Sequence, residues 1–427
     1  MSGCPFSNLL DPSTYGNGMP YGELARVRQA GSMVKMDDPL SGVPYWLVGT
    51  QKAMDFVSKN PALFSSAARS AWPQEDPQEI VEAFHQKSVI NMDPPLHQKM
   101  RRVIRSAFTP KAVASYEANF RTYAREIIDR VASRGECEFV EQVAAELPLI
   151  AILELLGVPA GERKQFYDWT NTMIFSEDPD MDASAEDGQL AAFGMIQYAM
   201  GMAEAHKETP LDNMTGVLLD GVIDDRPISE EEFGWMWLLT MVGGNESTRS
   251  VISQGMRLLI EHPDQLQYLV ENPDKIKGAV EEILRYNTAF ICMRRTALED
   301  VEFDGHQIKS GDKIILHYHA ANQDESVFGD DAMLFDVRRS ERMPDLHNQL
   351  RSFGIGQHFC IGSHVARLEL RVMFEEIIPR LRSPRLLGEP EYVKSFFING
   401  IKRMPVAFEP ELVCPQLPLC KELDDAI

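Results

Sequence analysis

Apolar positions recur at helical spacing over most of this chain. Residues 116–132, the apolar run 143–156, residues 166–175 and residues 189–204 each predict a helix. Gly157-Val158-Pro159 ends the second of these. A polar break, Ser176-Glu177-Asp178-Pro179-Asp180, makes the last two a pair of helices joined by a loop. Residues 233–248 form a very apolar helical stretch that runs into Gly243-Gly244. Val365, Leu368, Val372, Ile377 and Leu381 mark a further helix. Strand signals are fewer. Residues 46–50 predict a strand turning into a helix at residues 51–56. Residues 301–308 and 313–317, with turns at Asp304-Gly305 and Ser310-Gly311-Asp312, predict a small hairpin region. Asn399-Gly400 predicts the tip of another hairpin. The expected fold class is mainly α with a small β-sheet region.

No linker or shift in composition divides the middle of the 427 residues. The chain therefore reads as an N-terminal arm (1–40), irregular with short helical pieces, one catalytic body (41–410) and a C-terminal tail (411–427). Lys and Arg number 42 against 64 Asp and Glu, a net charge of −22, which argues against nucleic acid as a partner. The start lacks an apolar signal segment and no 18-residue apolar stretch follows, so no membrane anchor is expected. The six cysteines are scattered, without zinc spacing or a disulfide framework, as expected of a cytoplasmic protein.

Four groups of residues carry candidate chemistry. Cys360 sits in a glycine-punctuated turn just before a helix, whose positive end is expected to lower its pKa and suit it as a metal ligand. The residues alone leave open a buried structural cysteine. After Gly243 and Gly244 come Glu246, Ser247 and Thr248, and a buried carboxylate there is costly without a partner. The alternative is a helix leaving the core at Glu246. Asp93 and two prolines can start a helix on which His97 and Arg101 share a face, a cationic pair that wants an anion or is merely solvated. Glu282 and Arg285, three apart, form a one-face pair common on ordinary helices.

Phe353-x-x-Gly356-x-x-x-Cys360-x-Gly362 resembles the haem-binding loop of the cytochrome P450 superfamily in its soluble bacterial form. Other stretches resemble further family motifs in the family's order, from about residue 40 to 410. The resemblance implies a triangular-prism fold with a long central helix over haem b, and Cys360 as the axial thiolate, which favours O–O cleavage. It places Phe353, Gly354 and Gly362 in the haem loop, and His97, Arg101, Arg295 and His358 on the propionates. Gly244, Glu246 and Ser247 fall on the oxygen-binding groove, with Thr248 beside them and Gly243 allowing a flat cofactor close to the backbone. The acid is Glu where the family often has Asp, and the alcohol is Ser where it usually has Thr. Serine lacks the methyl that restrains the rotamer, so leakier proton delivery is expected. Glu282 and Arg285 match the family's structural brace, and spacing favours Arg339 over Arg338 as its third member. Leu350 stands where a family histidine usually lies, and His347 lies upstream of it.

The implied function is a monooxygenase that uses dioxygen as cosubstrate. Its two electrons would come from a separate ferredoxin, of the 2Fe-2S type, fed by an NAD(P)H-dependent reductase. Lys99, Arg102, Arg105 and Arg351 are expected to give that partner a local basic area. Trp235, Met236, Leu239, Gly243, Ala289, Phe290, Ile291, Phe396 and Phe397 are the expected pocket contacts. Being apolar, they call for a neutral hydrophobe: a terpene, sterol side chain, alkyl chain or aromatic hydrocarbon. The stretch from Ser395 to Lys402 resembles the bacterial enzymes that hydroxylate sterol side chains and branched lipids. A monomer is expected. Two rivals share the haem site: a peroxide-driven peroxygenase, which can dispense with Glu246 and Ser247, and a non-catalytic haem-based sensor or carrier of hydrophobes.

Overall fold

Helices carry most of the chain in the computed structural model, which describes residues 6–175, 178 and 183–412. Those that position the site are α1 (Tyr21–Ala30), α2 (Gln51–Lys59), α3 (Gln78–Ala83), α4 (Leu96–Ile104), α5 (Glu117–Ala132), α6 (Glu146–Leu156), α7 (Arg163–Phe175), α8 (Ala185–Glu208), α9 (Glu230–Glu261), α10 (Ile276–Tyr286) and α11 (Ser363–Arg380). The fold is mainly α with a smaller β region, as expected. Most of the expected polar break and residues 413–427 of the expected tail lie outside the described residues. No helix among the described residues is long and apolar enough to cross a membrane.

The 32 residues of α9 span about 48 Å at 1.5 Å per residue. A reciprocal cap starts the helix: Ser229 Oγ accepts from the Glu232 N–H, and the Glu232 carboxylate accepts from the Ser229 N–H. Three glutamates in the first turn suit the positive end of the helix dipole. The helix continues through Gly243-Gly244 and Glu246 is buried, so it does not leave the core there. A Cβ on Gly244 would lie 2.8 Å from Ile152 Cδ1, so this glycine lets α6 close on α9. At Gly243 the same direction is open space. Phe166 of α7 joins the helices, its ring centroid 5.0 Å from that of Tyr198 on α8 and 5.9 Å from that of Trp237 on α9.

The larger sheet has five strands: β1 (Met33–Met36), β2 (Tyr45–Val48), β3 (Phe64–Ser65), β4 (Cys292–Ala297) and β5 (Lys313–His317), in the order β1-β2-β5-β4-β3. Only the β2–β5 pair is parallel, with Trp46 opposite Ile314. β4 and β5 are buried along their whole length. Three sequence expectations change here. The segment read as an irregular arm contains α1 and the edge strand β1, and it buries Leu9, Leu10, Tyr15 and Leu24 in a core cluster. Residues 313–317 join the large sheet, while Val301–Phe303 and His306–Ile308 pair with each other around Asp304 (φ 52°) and Gly305 (φ 81°). Glu391–Tyr392 pairs with Ile401–Arg403, so the hairpin tip is the whole of residues 393–400. There Ser395 Oγ accepts from the Phe397 and Ile398 N–H groups at 3.0 and 3.1 Å. Gly400 lacks the positive φ that a tight Asn-Gly turn needs.

Candidate active site

Cys360 follows a turn in which Gly354 (φ 68°) and Gly356 (φ 77°) take left-handed conformations. A side chain on Gly356 would also strike Ser58 O, at 2.5 Å, where α2 passes. The Cys360 N–H donates to Phe353 O at 2.8 Å, which closes the turn three residues before α11. Burial pushes the thiol pKa up; the Gly362 and Ser363 N–H groups and the guanidinium groups of Arg101 and Arg367 oppose this without overcoming it. The start of the helix lowers the pKa as expected, through these two N–H groups, while burial acts more strongly the other way. A thiol so placed ionises when a metal cation binds it.

Cys360 lines a cavity of about 280 Å³, shared with Gly243, Gly244, Ser247 and Thr248 of α9. His97, Arg101, His358, Phe353, Gly354 and Gly362 are also in its wall. The His97 and His358 rings lie 4.1 Å apart between centroids. Both nitrogens of buried His97 lack a partner among the described residues. Its pKa is lowered to about 4, by burial first and then by Arg101 and Arg295; that of His358 is lowered to about 2 by burial, Arg295, His97 and Arg101. Arg295 is outside the wall itself and donates to Arg294 O at 2.6 Å. Asp93 acts the other way on His97, but Ser65 Oγ and the Ser66 N–H already bind its carboxylate. Asp93 was expected to cap α4, yet Pro95 holds that position. Arg101 donates to Phe359 O and His358 bonds Ser66 Oγ, but no carboxylate pairs with either among the described residues. Basic groups gathered at one cavity wall without a paired anion fit a ligand with two carboxylates beside a metal that Cys360 can reach. Haem b is such a group.

On α9, Ser247 Oγ donates to Gly243 O at 2.8 Å. Glu246 is not in the cavity wall; Arg249, three residues along the same helix, donates to its Oε1 at 3.0 Å. Arg249 also donates to Asn171 Oδ1 of α7 at 2.6 Å, and Asn245 donates to Thr170 Oγ1 at 3.0 Å. The wall contains an acid that sequence reasoning missed. Glu369 of α11 is 1% exposed, and burial raises its pKa well above the usual carboxyl range, against a hydrogen bond with Thr248. A signal existed, because Glu369 falls four residues after Val365 and three before Val372 on the apolar stripe of that helix.

Glu282, Arg285 and Arg339 come together, all buried. Arg285 grips Glu282 with two hydrogen bonds of 2.7 and 2.8 Å, and Arg339 Nε adds a third at 3.1 Å. Arg285 also donates to the carbonyls of Asn322, Ala332 and Leu334, so the brace ties α10 to the segment leading to the cysteine turn. Arg338 instead lies over the Tyr268 ring, 4.0 Å from its centroid. Leu350 is buried and His347 is exposed. Arg351 was expected on the basic surface but is buried and bound to Asp55 at 2.7 Å. Lys99 pairs with Asp224, whereas Arg102 and Arg105 are both exposed. His317 Nδ1 accepts from the Ala320 N–H and His319 bonds Thr288, so both serve structure.

Of the expected pocket contacts, Met236, Leu239, Gly243, Ala289 and Phe290 line the cavity. Trp235, Ile291, Phe396 and Phe397 do not. Trp235 is about 100° round the helix from Met236 and faces a different cavity. Ile291 follows Phe290 on extended chain, so it points the other way, into a core cluster with Phe396. The Phe397 ring packs behind Phe290 and against Trp72, with centroids 4.9 and 3.8 Å away. Val89, Ile90, Ile152, Leu155 and Thr240 also line the cavity and were not anticipated.

The cytochrome P450 family model matches residues 189–384. The chain is 36% identical to the steroid C26-monooxygenase of Mycolicibacterium smegmatis, over 94% of this chain and 93% of that one. It is 33% identical to the linalool 8-monooxygenase of Pseudomonas putida, over 95% and 99%. The structure of a Mycobacterium marinum cytochrome P450 in complex with pseudoionone superposes with a TM-score of 0.85 at 27% identity, covering 96% of this chain and all of that one, 100%.

Proposed function

This chain belongs to the cytochrome P450 superfamily, and we propose that it is a haem-thiolate monooxygenase hydroxylating a neutral branched hydrocarbon of steroid or terpenoid type. The observation that carries the reading is one cavity bounded by Cys360, by basic groups without anions and by the Ser247–Thr248 stretch of α9. The two relatives act, by name, on a steroid and on linalool. The apolar wall here offers no ionic partner to the part of a substrate near Phe290 and Leu239.

Haem, when bound, supplies activation of dioxygen and transfer of one oxygen atom into a C–H bond. Cys360 Sγ would ligate its iron, and His97, Arg101, Arg295 and His358 would hold its propionates. Ser247 Oγ would hold a proton donor in the cavity, and Glu246 would feed that position from its pair with Arg249. Met236, Leu239, Ala289 and Phe290 would orient the hydrocarbon and exclude water. Electrons would arrive from a separate ferredoxin and its NAD(P)H-dependent reductase, meeting the surface near Arg102 and Arg105.

The test is the absorption spectrum of dithionite-reduced protein under carbon monoxide. The thiolate-type Soret band is expected in the wild type and its loss in Cys360→Ala. A histidine-type spectrum, or no bound haem, would overturn the reading.

A further inference from the structure

Few polar side chains reach the wall of the Cys360 cavity apart from the groups assigned to haem, and most of these are committed. Thr248 hydrogen-bonds Glu369. Ser352 Oγ donates to Leu284 O at 2.6 Å and accepts from Asn322 Nδ2 at 2.8 Å. The Tyr318 hydroxyl lies at the cysteine turn, 3.9 Å from where a Cβ on Gly354 would stand. Thr240 of α9 is different. It is half-buried, it shares the wall with Met236, Leu239 and Gly243 of the same helix, and its Oγ1 donates to Met236 O at 2.8 Å. This is the usual bond of a helical threonine to the carbonyl four residues back. A hydroxyl has one proton and two lone pairs. The proton is committed to Met236 O, and no donor reaches the oxygen among the described residues.

We propose that Thr240 is a substrate-binding residue that recognises an alcohol, its Oγ1 accepting a hydrogen bond from the hydroxyl of an otherwise apolar ligand. The substrate class narrows to a hydrocarbon skeleton that carries one hydroxyl group. An acceptor-only group, such as an ether or a ketone, would have to draw the proton away from Met236 O. A plain hydrocarbon would cover the oxygen and leave its lone pairs without a donor. Ser247 lies seven residues further along α9, about 10 Å along the axis and close to the same face. Both residues line the cavity, so a ligand held by its hydroxyl at Thr240 can run its hydrocarbon part towards Ser247. The proposal deepens the monooxygenase reading and rests on it for the use of the cavity.

The experiment compares three ligands of one skeleton. Holoenzyme is dialysed to equilibrium against 3,7-dimethyl-1-octanol, its methyl ether or 2,6-dimethyloctane, and bound ligand is measured by gas chromatography. The carbon monoxide spectrum, taken before any ligand is added, tests the monooxygenase reading separately. Thr240→Val is expected to weaken binding of the alcohol about fivefold relative to the ether and the alkane. Thr240→Ser, which keeps the hydroxyl, should bind all three as wild type does. Thr240→Ala takes the place of the valine variant if that one does not fold. A ratio of alcohol to alkane affinity that survives loss of the hydroxyl overturns the proposal. So does a loss for the ether as large as that for the alcohol, which would make Thr240 a donor to the ligand.

Discussion

The Ser247 hydroxyl hydrogen-bonds back to Gly243 O, at 2.8 Å. Without a β-methyl its hydroxyl leaves that rotamer easily. Ser247→Thr is expected to raise product formed per NADH consumed and to lower hydrogen peroxide release, read by a coupled peroxide assay. An unchanged ratio would clear serine of any leak. Glu369 calls for a different measurement. Its folded pKa is raised by burial, so its contribution to stability is full below the unfolded carboxyl value, about 4.3, and is lost as pH rises towards the folded value. Glu369→Gln, neutral throughout, should gain on wild type in urea midpoint between pH 5 and pH 8. Both residues show what the sequence discloses about single side chains. Cys360 and Ser247 stand inside ordered motifs and were legible. Glu369 is an isolated acid on an apolar stripe, and only burial separates it from an ordinary surface glutamate.

At the scale of elements, the segment before α3 is fastened electrostatically. Glu75 accepts from Arg294 at 2.8 Å and Lys313 at 3.1 Å, two buried cations on the neighbouring strands β4 and β5. Glu75→Gln leaves both without that counter-charge. A loss of about 2 kcal/mol in unfolding free energy is expected, below the full cost of a buried pair because Glu75 is partly exposed. Limited proteolysis should cut faster within residues 72–88. The helices were readable because a 3.6-residue period repeats over several turns. The sheet was not, because β5 pairs with β2 across more than 260 residues of sequence and both read as continuous apolar runs. The hairpin near residue 400 was misplaced for a local reason: Asn-Gly has strong turn chemistry, yet Ser395 organises the real turn.

At the scale of the whole molecule, the surface beside the cysteine turn keeps Arg105 exposed and Phe359 40% exposed, despite the acidic total. An acidic electron donor would be steered there. Arg102→Glu with Arg105→Glu is expected to slow reduction by the ferredoxin about tenfold and to flatten its dependence on ionic strength, followed by stopped-flow spectroscopy. Dithionite reduction should be unaffected. Equal ferredoxin rates would move the docking face elsewhere.

Glu246 takes its counter-charge from its own helix, while the neighbouring α7 bonds Arg249 and Asn245, through Asn171 and Thr170. A displacement of α7 thus strips hydrogen bonds from Arg249 and Asn245 and leaves the acid its arginine on α9. If Glu246 serves the proposed reaction, the pocket can exchange its contents without resetting that acid.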